Sequence, residues 1–267
     1  GGHLEGSDLV HDYEIDNFTV IYGKFVDGGT HDSGCTYSSA ITAYLNRGFA
    51  LVDAAKYAKQ FVENAIKSSL PIGNGVNPVN QLAHLHADAE RYRVAQNTMK
   101  ALDMIQNCQA FTSLIPEVGC DIAMAISNAQ DISDVAAVEG RIIRHRGYPR
   151  AVGCIDYGAS SHIARIVLAA MKFDPKIRSA INIKYSPQIL DICSELGYEI
   201  SSFNRADEPE YTSTMDWGVT YAINAYGAVP DVVYDKGGIG KEPMIRLLGK
   251  SAIEVTTKAV KVAEKYI

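Results

Sequence analysis

The chain has 267 residues, of which 47% are hydrophobic and 21% are charged, and its formal net charge is −6 at pH 7. This apolar share is enough to form the core of one large domain or of two ordinary ones. The acidic balance excludes a broad nucleic-acid-binding surface, although a few clustered basic residues can still hold a small anion.

The cysteines and the hydropathy indicate the compartment. The five cysteines are odd in number and include no CxxC pair, which predicts neither a disulfide framework nor a zinc site. No apolar run has membrane length, and no basic-then-apolar leader is present. We therefore expect a cytoplasmic protein with no membrane partner. The chain opens at Gly1 without a methionine, which suggests a fragment of a longer chain.

The first part of the chain comprises residues 1–88. The sequence predicts a strand over 18–29 and helices over 35–45 and 51–66. Residues 68–82 are rich in Pro, Gly and Asn, which is typical of a connector. We therefore place the domain boundary after residue 88.

The second part, residues 89–267, alternates strands and helices. In chain order the sequence predicts helix 88–108, hairpin 141–156 with its turn near Gly147, helix 161–172, strand 181–186, helix 187–196 capped by Ser186, strand 199–205, helix 214–226, strands 230–235 and 243–249, and a last helix capped by Ser251. The alternation predicts an α/β domain, and the hairpin indicates a mixed sheet.

The stretch GASSHIARIVLAAMK begins with small polar residues and turns into an apolar helix. The unpaired N–H groups and positive dipole of such a helix start can bind phosphate. Gly158 and Ala159 let a ligand approach the backbone, Ser160 and Ser161 offer hydroxyls, and His162 can exchange a proton near neutral pH. Alternatively, Ser161 is an ordinary N-cap and His162 a solvated residue of the first turn.

Cations are concentrated in VEGRIIRHRGYPR. Arg144, His145, Arg146 and Arg150 lie near the expected turn and are typical of a solvated face. Arg141 precedes the first strand of the hairpin, where it can point over the sheet end and pair with a phosphate. A surface arginine is the alternative.

A glycine-rich loop lies in YDKGGIGKEPMIRLLG. Gly238 and Gly240 precede Lys241 between two expected strands, and such a donor-rich loop can fold over an anion. The spacing is not that of a Walker loop, and a strand follows instead of a helix. A plain glycine-rich turn is the alternative.

Five motifs in order, LIPEVGCDIAMAI, DVAAVEGRI, GASSHIARIVLAAMKFDPKIRSAINIKYS, TMDWG and GGIGKEPMIRLLG, resemble the ThiN-type thiamine-phosphate synthase domain over residues 100–250. The resemblance implies a three-layer α/β/α fold with a mixed, mostly antiparallel sheet related to the class II aldolase fold. It also implies that hydroxymethylpyrimidine diphosphate is joined to a thiazole phosphate, giving thiamine phosphate and pyrophosphate.

Residues 1–80, with GGHLEG, THDSGCTYSSAITAYLNRG and IGNGVNPVN, resemble the C-terminal third of the ribokinase-like hydroxymethylpyrimidine phosphate kinase. The two families are commonly fused in archaea. Gly34 and Cys35 match the kinase anion hole, but Asp32 replaces its first glycine, and a carboxylate there repels the anion. Cys35 is alternatively a small buried helix residue. Most of the kinase sequence is absent, so we do not expect this chain to phosphorylate its substrate.

The implied reaction needs cationic and N–H donors aimed at the departing diphosphate. We expect the segment 158–161 to cradle a phosphate, His162 to donate a hydrogen bond or proton, and Arg141 to be the paired cation. Magnesium is expected as a cofactor bound through substrate oxygens and water, with no protein metal-ligand set.

Five further residues are candidates for the remaining contacts. Arg205 and Lys241, the latter with Gly238 and Gly240, can hold the second phosphate. Asp216 can hold the pyrimidine amino group or be a helix-surface acid. The expected partners are therefore small phosphorylated substrates and no nucleic acid; a homo-oligomer is compatible with this interpretation.

Three other functions remain open at this point. The chain is a kinase if its native form carries the missing N-terminal part. It is a sensor without catalysis if it resembles the ThiN-like domains attached to DNA-binding segments, although no basic arm is visible. A metal-dependent aldolase would need a histidine cluster, and HLHAD at 84–88 is interpreted as a solvated linker.

Overall fold

A computed structural model of the chain describes residues 6–23, 25–208 and 214–267. Apart from Gly6, the GGHLEG motif lies outside this described part, as do the side chains of Thr214 and Met215 in TMDWG. The chain divides into two compact units between Ala89 and Glu90. The two units are treated separately below.

The first unit contains a two-stranded antiparallel sheet and two helices. The sheet pairs β1 (Asp8–Asp12) with β2 (Asn17–Ile21), and the helices are α1 (Ser33–Asn46) and α2 (Leu51–Lys67). Both helices were predicted within three residues of these bounds. The strand expected over 18–29 ends early at Ile21, because glycines follow it and Gly28 has φ +149°.

The helix that opens the second part was predicted to begin at residue 88, but α3 spans Ala83–Asn107. The HLHAD segment is exposed, as the prediction of a solvated segment required, but it is helical and does not belong to the connector. Asn80 accounts for the earlier start, because its side-chain oxygen accepts from Leu82 N at 3.1 Å and its carbonyl accepts from Ala83 N at 3.1 Å.

The second unit is built on a seven-stranded sheet of order β7-β4-β3-β8-β11-β10-β9. Every neighbouring pair is antiparallel except β9 with β10. The strands of this sheet are β3 (Ile122–Ala125), β4 (Val135–Val138), β7 (Ile155–Tyr157), β8 (Ser179–Lys184), β9 (Ile200–Ser202), β10 (Val232–Asp235) and β11 (Met244–Gly249).

Helices cover both faces of this sheet. One core cluster joins the sheet to α3, α5 (Pro187–Glu195) and α7 (Ala252–Tyr266). The other joins it to α4 (Ser161–Met171) and α6 (Thr214–Tyr226). The expected three-layer α/β/α fold with a mostly antiparallel sheet is confirmed.

The expected hairpin forms a small sheet of its own, pairing β5 (Ile142–His145) with β6 (Tyr148–Ala151). Its turn is at Arg146 and Gly147, whose φ angles of +51° and +81° fit the two-residue turn that right-twisted strands favour. As predicted, the cations near this turn are exposed. Among the residues with described structure, no helix is both long and apolar enough to cross a membrane.

Candidate active site

A row of buried polar side chains crosses the middle of the sheet. Arg246 of β11 lies opposite Asn182 of β8, and Asn182 Oδ1 accepts from Asp121 N at 2.6 Å, just before β3. Asp235 at the end of β10 completes the row. All four side chains are buried, and each lies two residues along its strand from an apolar residue of the core cluster that includes α4 and α6, and therefore on the same face of the sheet: Leu248, Ala180, Ala123 and Val233. The row therefore faces these two helices.

Asp235 binds two arginines. Arg205 donates from Nε at 2.5 Å and from Nη2 at 3.1 Å, and Arg246 Nη2 lies 2.8 Å from Asp235 Oδ2. Burial opposes ionisation of Asp235, but the hydrogen bond from Arg205 and the charges of both arginines outweigh it and lower the pKa of this carboxyl. Asp235 is therefore an ionised anchor for two guanidinium groups.

Asp121 is the second buried carboxyl of the site. Its Oδ2 accepts a hydrogen bond from the Ser160 hydroxyl and lies 3.9 Å from Arg141 Nη1. Burial raises the pKa of Asp121 to about 6, although Ser160 and Arg141 oppose this shift. Its Oδ1 is buried and has no hydrogen-bond partner in the described part of the chain.

Arg141 approaches Asp121 from an unusual backbone conformation. Its backbone φ angle is +147°, a value that residues other than glycine rarely adopt. Its side chain is 32% exposed. Such conformations persist where the surrounding structure holds them, and they are concentrated at functional sites. The expectation that Arg141 points back over the sheet end agrees with this placement.

The first turn of α4 lies beside the two acids. Its N-cap is Ser160, so the alternative in which Ser161 caps the helix is wrong. The Ser160 side chain accepts no hydrogen bond from the helix, and its hydroxyl is turned to donate to Asp121. Gly158 has φ +75°, which lets the chain turn into the helix after Ala159.

His162 is the meeting point of the charged groups. Burial and the charges of Arg246, Arg141 and Arg205 together lower the pKa of His162 to about 4, although the charge of Asp235 opposes this shift. Arg141 and Arg205, two of the arginines whose charges act on His162, were both candidates from the sequence, Arg141 beside His162 and Arg205 at the second phosphate. The structure corrects the expectation of a proton exchanged near neutral pH, because the imidazole stays neutral there.

The glycine-rich loop between β10 and β11 forms a tight turn, in which the N–H groups of Gly238 and Lys241 each donate to the other residue's carbonyl at 3.0 Å. Gly240 has φ +68° within it. Lys241 Nζ lies 3.5 Å from Glu208 Oε2, so a phosphate there would compete with a carboxylate. Asp216 is half-buried in the first turn of α6.

The candidate kinase residues lie in the first unit, at the start of α1. Asp32 is the N-cap in a left-handed conformation, and its carboxylate lies 3.6 Å from His31 Nε2. Gly34 is in the first turn. Cys35 is exposed, so the alternative of a small buried helix residue is wrong.

Sequence reasoning missed Asp121, Asn182, Asp235 and Arg246. The available signal was a charged or amide side chain inside an otherwise apolar strand, as in PMIRLLG and INIKYS. A buried charge needs a partner, and these partners are distant in sequence: Arg246 and Asp235 pair across two strands, and Asp121 contacts Ser160 and Arg141. Among the described residues, no three His, Cys, Asp or Glu side chains converge as a metal site.

Arginine charges and a helix N-terminus beside a neutral imidazole, on a three-layer α/β fold, form the kind of site that suits an anion. The family model of Thiamine-phosphate synthase ThiN matches residues 97–261, and that of Phosphomethylpyrimidine kinase matches residues 1–80. The chain belongs to the thiamine-phosphate synthase ThiN family, with a partial kinase-like unit before it. Both expected resemblances are confirmed.

The relatives cover the two units differently. The chain is 42% identical over 263 residues to the bifunctional thiamine biosynthesis protein ThiDN of Methanocaldococcus jannaschii, covering 96% of this chain but only 60% of that protein. It is 43% identical over 178 residues to the thiamine-phosphate synthase ThiN of Methanothermobacter thermautotrophicus, covering 64% of this chain and 93% of the relative. A solved C-terminal domain of phosphomethylpyrimidine kinase is similar at TM-score 0.61 and 36% identity, over 65% of this chain and all of that one.

Proposed function

We propose that the second unit joins hydroxymethylpyrimidine diphosphate to a thiazole phosphate and releases pyrophosphate, forming thiamine phosphate. The observation that carries this proposal is the convergence of three arginines on one neutral histidine beside the start of α4. Both substrates are phosphorylated, and the reaction sheds the charge of a diphosphate. The site supplies cations and N–H donors for that charge.

The chemistry requires little covalent help from the protein. The C–O bond to the diphosphate breaks, its electron pair leaves with pyrophosphate, and the aminopyrimidine stabilises the positive charge on the methylene carbon. The thiazole nitrogen then donates its lone pair to that carbon and forms the C–N bond. Catalysis consists of holding the two substrates in line and stabilising the leaving group.

His162 and Arg141 act on the leaving diphosphate. Because the pKa of His162 is lowered to about 4, its imidazole is neutral at pH 7 and donates a hydrogen bond from a ring N–H. Arg141 is 32% exposed, and its contact with the Asp121 carboxylate is long, at 3.9 Å. It therefore keeps donors available for a phosphate oxygen. The segment 158–161 brings the first amides of α4 to the same anion.

The remaining candidates serve the other substrate groups. Arg205, fixed by Asp235 and near His162, together with Lys241, Gly238 and Gly240, binds the second phosphate. Asp216 accepts from the pyrimidine amino group.

Magnesium fits this site only as part of the substrate complex. Asp235 is occupied by two arginines, and Asp121 offers a single carboxyl, which is too few oxygen ligands for a protein-bound ion. The ion would bind the diphosphate oxygens and water, and it would supply extra positive charge for the leaving group.

The direct test is to incubate the chain with both phosphorylated precursors and magnesium and to measure thiamine phosphate and pyrophosphate. Omitting the thiazole phosphate is the control. Formation of both products in equal amounts supports the proposal, and their absence with a folded chain refutes it.

The kinase alternative has one observation in its favour, the match of residues 1–80. The Asp32 carboxylate at the start of α1 opposes it, because the carboxylate repels a transferring phosphoryl group. Incubation with ATP and the pyrimidine phosphate tests this alternative: formation of the diphosphate would establish a kinase.

A further inference from the structure

The N-cap of α4 differs from the other serine N-caps of the second unit. Ser186 and Ser251 each accept a hydrogen bond from a first-turn amide, from Ile189 N at 3.1 Å and from Glu254 N at 3.2 Å. Ser160 accepts none, and its hydroxyl donates to Asp121 Oδ2. A serine at this position normally stabilises the helix by capping it. The Ser160 side chain does not stabilise α4 in this way.

Asp121 is built to hold this hydroxyl. Its side chain is 1% exposed, and its backbone N–H is fixed by Asn182 Oδ1 at 2.6 Å. A buried carboxyl with an unpartnered Oδ1 lowers the stability of the fold, so Asp121 is not explained by a stabilising role. Its other oxygen contacts two parts of the candidate site, Ser160 and Arg141.

We propose that Asp121 is a positioning residue that keeps the Ser160 hydroxyl off the first-turn amides of α4 and holds Arg141 beside them, so that these amides bind the diphosphate. This inference rests on the proposed function for the identity of the anion. Without an acceptor at 121, Ser160 turns back and caps the helix, and the anion must then compete with that hydroxyl.

The test measures binding of inorganic pyrophosphate to the full chain by calorimetry. Asp121→Asn removes the charge but keeps an acceptor for Ser160, whereas Asp121→Ala removes both. The two variants carry the same charge at position 121. The difference between their pyrophosphate affinities therefore reports the position of the Ser160 hydroxyl and not the loss of the Asp121 charge. We expect Asp121→Ala to bind pyrophosphate about fivefold more weakly than Asp121→Asn. In the alanine variant pyrophosphate must displace the N-cap hydrogen bond of Ser160, and one such bond has an effect of about this size.

The decisive arm adds Ser160→Ala to each variant. With the hydroxyl gone, Asp121→Ala/Ser160→Ala should bind pyrophosphate within twofold of Asp121→Asn/Ser160→Ala. A purely structural role for Asp121 would leave the fivefold gap in place, and that result overturns the inference. Equal binding by Asp121→Ala and Asp121→Asn overturns it too, as does a parent chain that binds no pyrophosphate.

Two measurements keep the outcome interpretable. Asp121→Leu also lacks an acceptor while keeping most of the side-chain volume, and it replaces Asp121→Ala if the alanine variant does not fold. Thiamine phosphate formation by the parent chain is measured separately. If the parent forms none but the binding pattern holds, the synthase proposal fails and the positioning role stands; the reverse pattern retains the synthase and removes the role.

Discussion

Arg141 and His162 differ from the basic residues of the hairpin in what surrounds them. Both lie near a buried acid and a helix start, whereas Arg150 is exposed on the hairpin. We expect Arg141→Ala and His162→Ala each to lower kcat at least a hundredfold, since losing one such donor costs roughly 3 to 4 kcal/mol in the barrier. Arg150→Ala is the matched control and should stay within twofold. Turnover near the parent value in either variant removes that residue from the mechanism.

Asp121 makes the stability of the second unit depend on pH. The pKa of this carboxyl is about 6 in the folded chain and about 3.9 when unfolded, so the folded state binds its proton more tightly. This contribution to stability is therefore full below the unfolded pKa and is lost as the pH rises through 6. The variant Asp121→Asn does not titrate at this position. We therefore expect the unfolding free energy of the variant minus that of the parent to be on the order of 2 to 3 kcal/mol larger at pH 8 than at pH 4.

Urea unfolding followed by tryptophan fluorescence measures this difference. The chain has one tryptophan, Trp217 in α6, so the signal reports on the second unit. An equal offset between Asp121→Asn and the parent at both pH values would show that the carboxyl titrates normally.

At the level of elements, the pair of Arg246 and Asp235 joins β11 to β10. Both side chains are 0% exposed, and Asp235 also binds Arg205, so removing Arg246 leaves the carboxylate with one guanidinium partner, whereas removing the carboxylate leaves two buried arginines without theirs. We expect Arg246→Met to lower the unfolding free energy by about 1 to 3 kcal/mol and Asp235→Asn to lower it more, by about 3 to 5 kcal/mol. Lys265→Met breaks an exposed ion pair and should cost under about 1 kcal/mol. Thermal unfolding of the variants and the parent tests this order.

The sequence predicted helices better than strands, and the reason is physical. Caps such as Ser186 and apolar periodicity mark the helices locally. The strands β3 and β4 were missed because both faces of the sheet are covered. All four residues of each strand are buried, so neither strand shows the alternation of apolar and polar residues that marks a strand in sequence.

Site residues followed the same division. Arg141 and His162 were found from local motifs and the family resemblance. Asp121 and Asn182 were not, because they are 61 residues apart in sequence and only strand pairing joins them. Likewise, the sequence offered Ser161 as the N-cap of α4, whereas the cap is Ser160, and only the contact with Asp121 shows what the Ser160 hydroxyl does.

At the level of the whole molecule, the division between the units falls inside α3, and the residues just after it anchor the second unit. Arg178 Nη1 lies 2.8 Å from Glu90 Oε1, Arg91 Nη2 lies 2.6 Å from Asp134 Oδ1, and Val94 is 2% exposed. The family match, in contrast, begins only at residue 97. These anchors, absent from 97–267, indicate where an independent second unit must begin.

A chain of residues 83–267 should fold alone and keep turnover within about twofold of the full chain, because every residue proposed for the synthase lies in it. The ThiN relative of Methanothermobacter thermautotrophicus aligns with 178 residues of this chain over 93% of its own length, so a chain of about this size suffices for that relative. A chain of residues 97–267 should melt roughly 5 to 10 °C lower, since burial of Val94 alone contributes about 1.5 to 3 kcal/mol. Scanning calorimetry and product formation compare the two. A folded 83–267 chain without turnover would mean that the first unit contributes groups to the site, whereas equal melting of both would mean that the start of α3 adds no stability to the second unit.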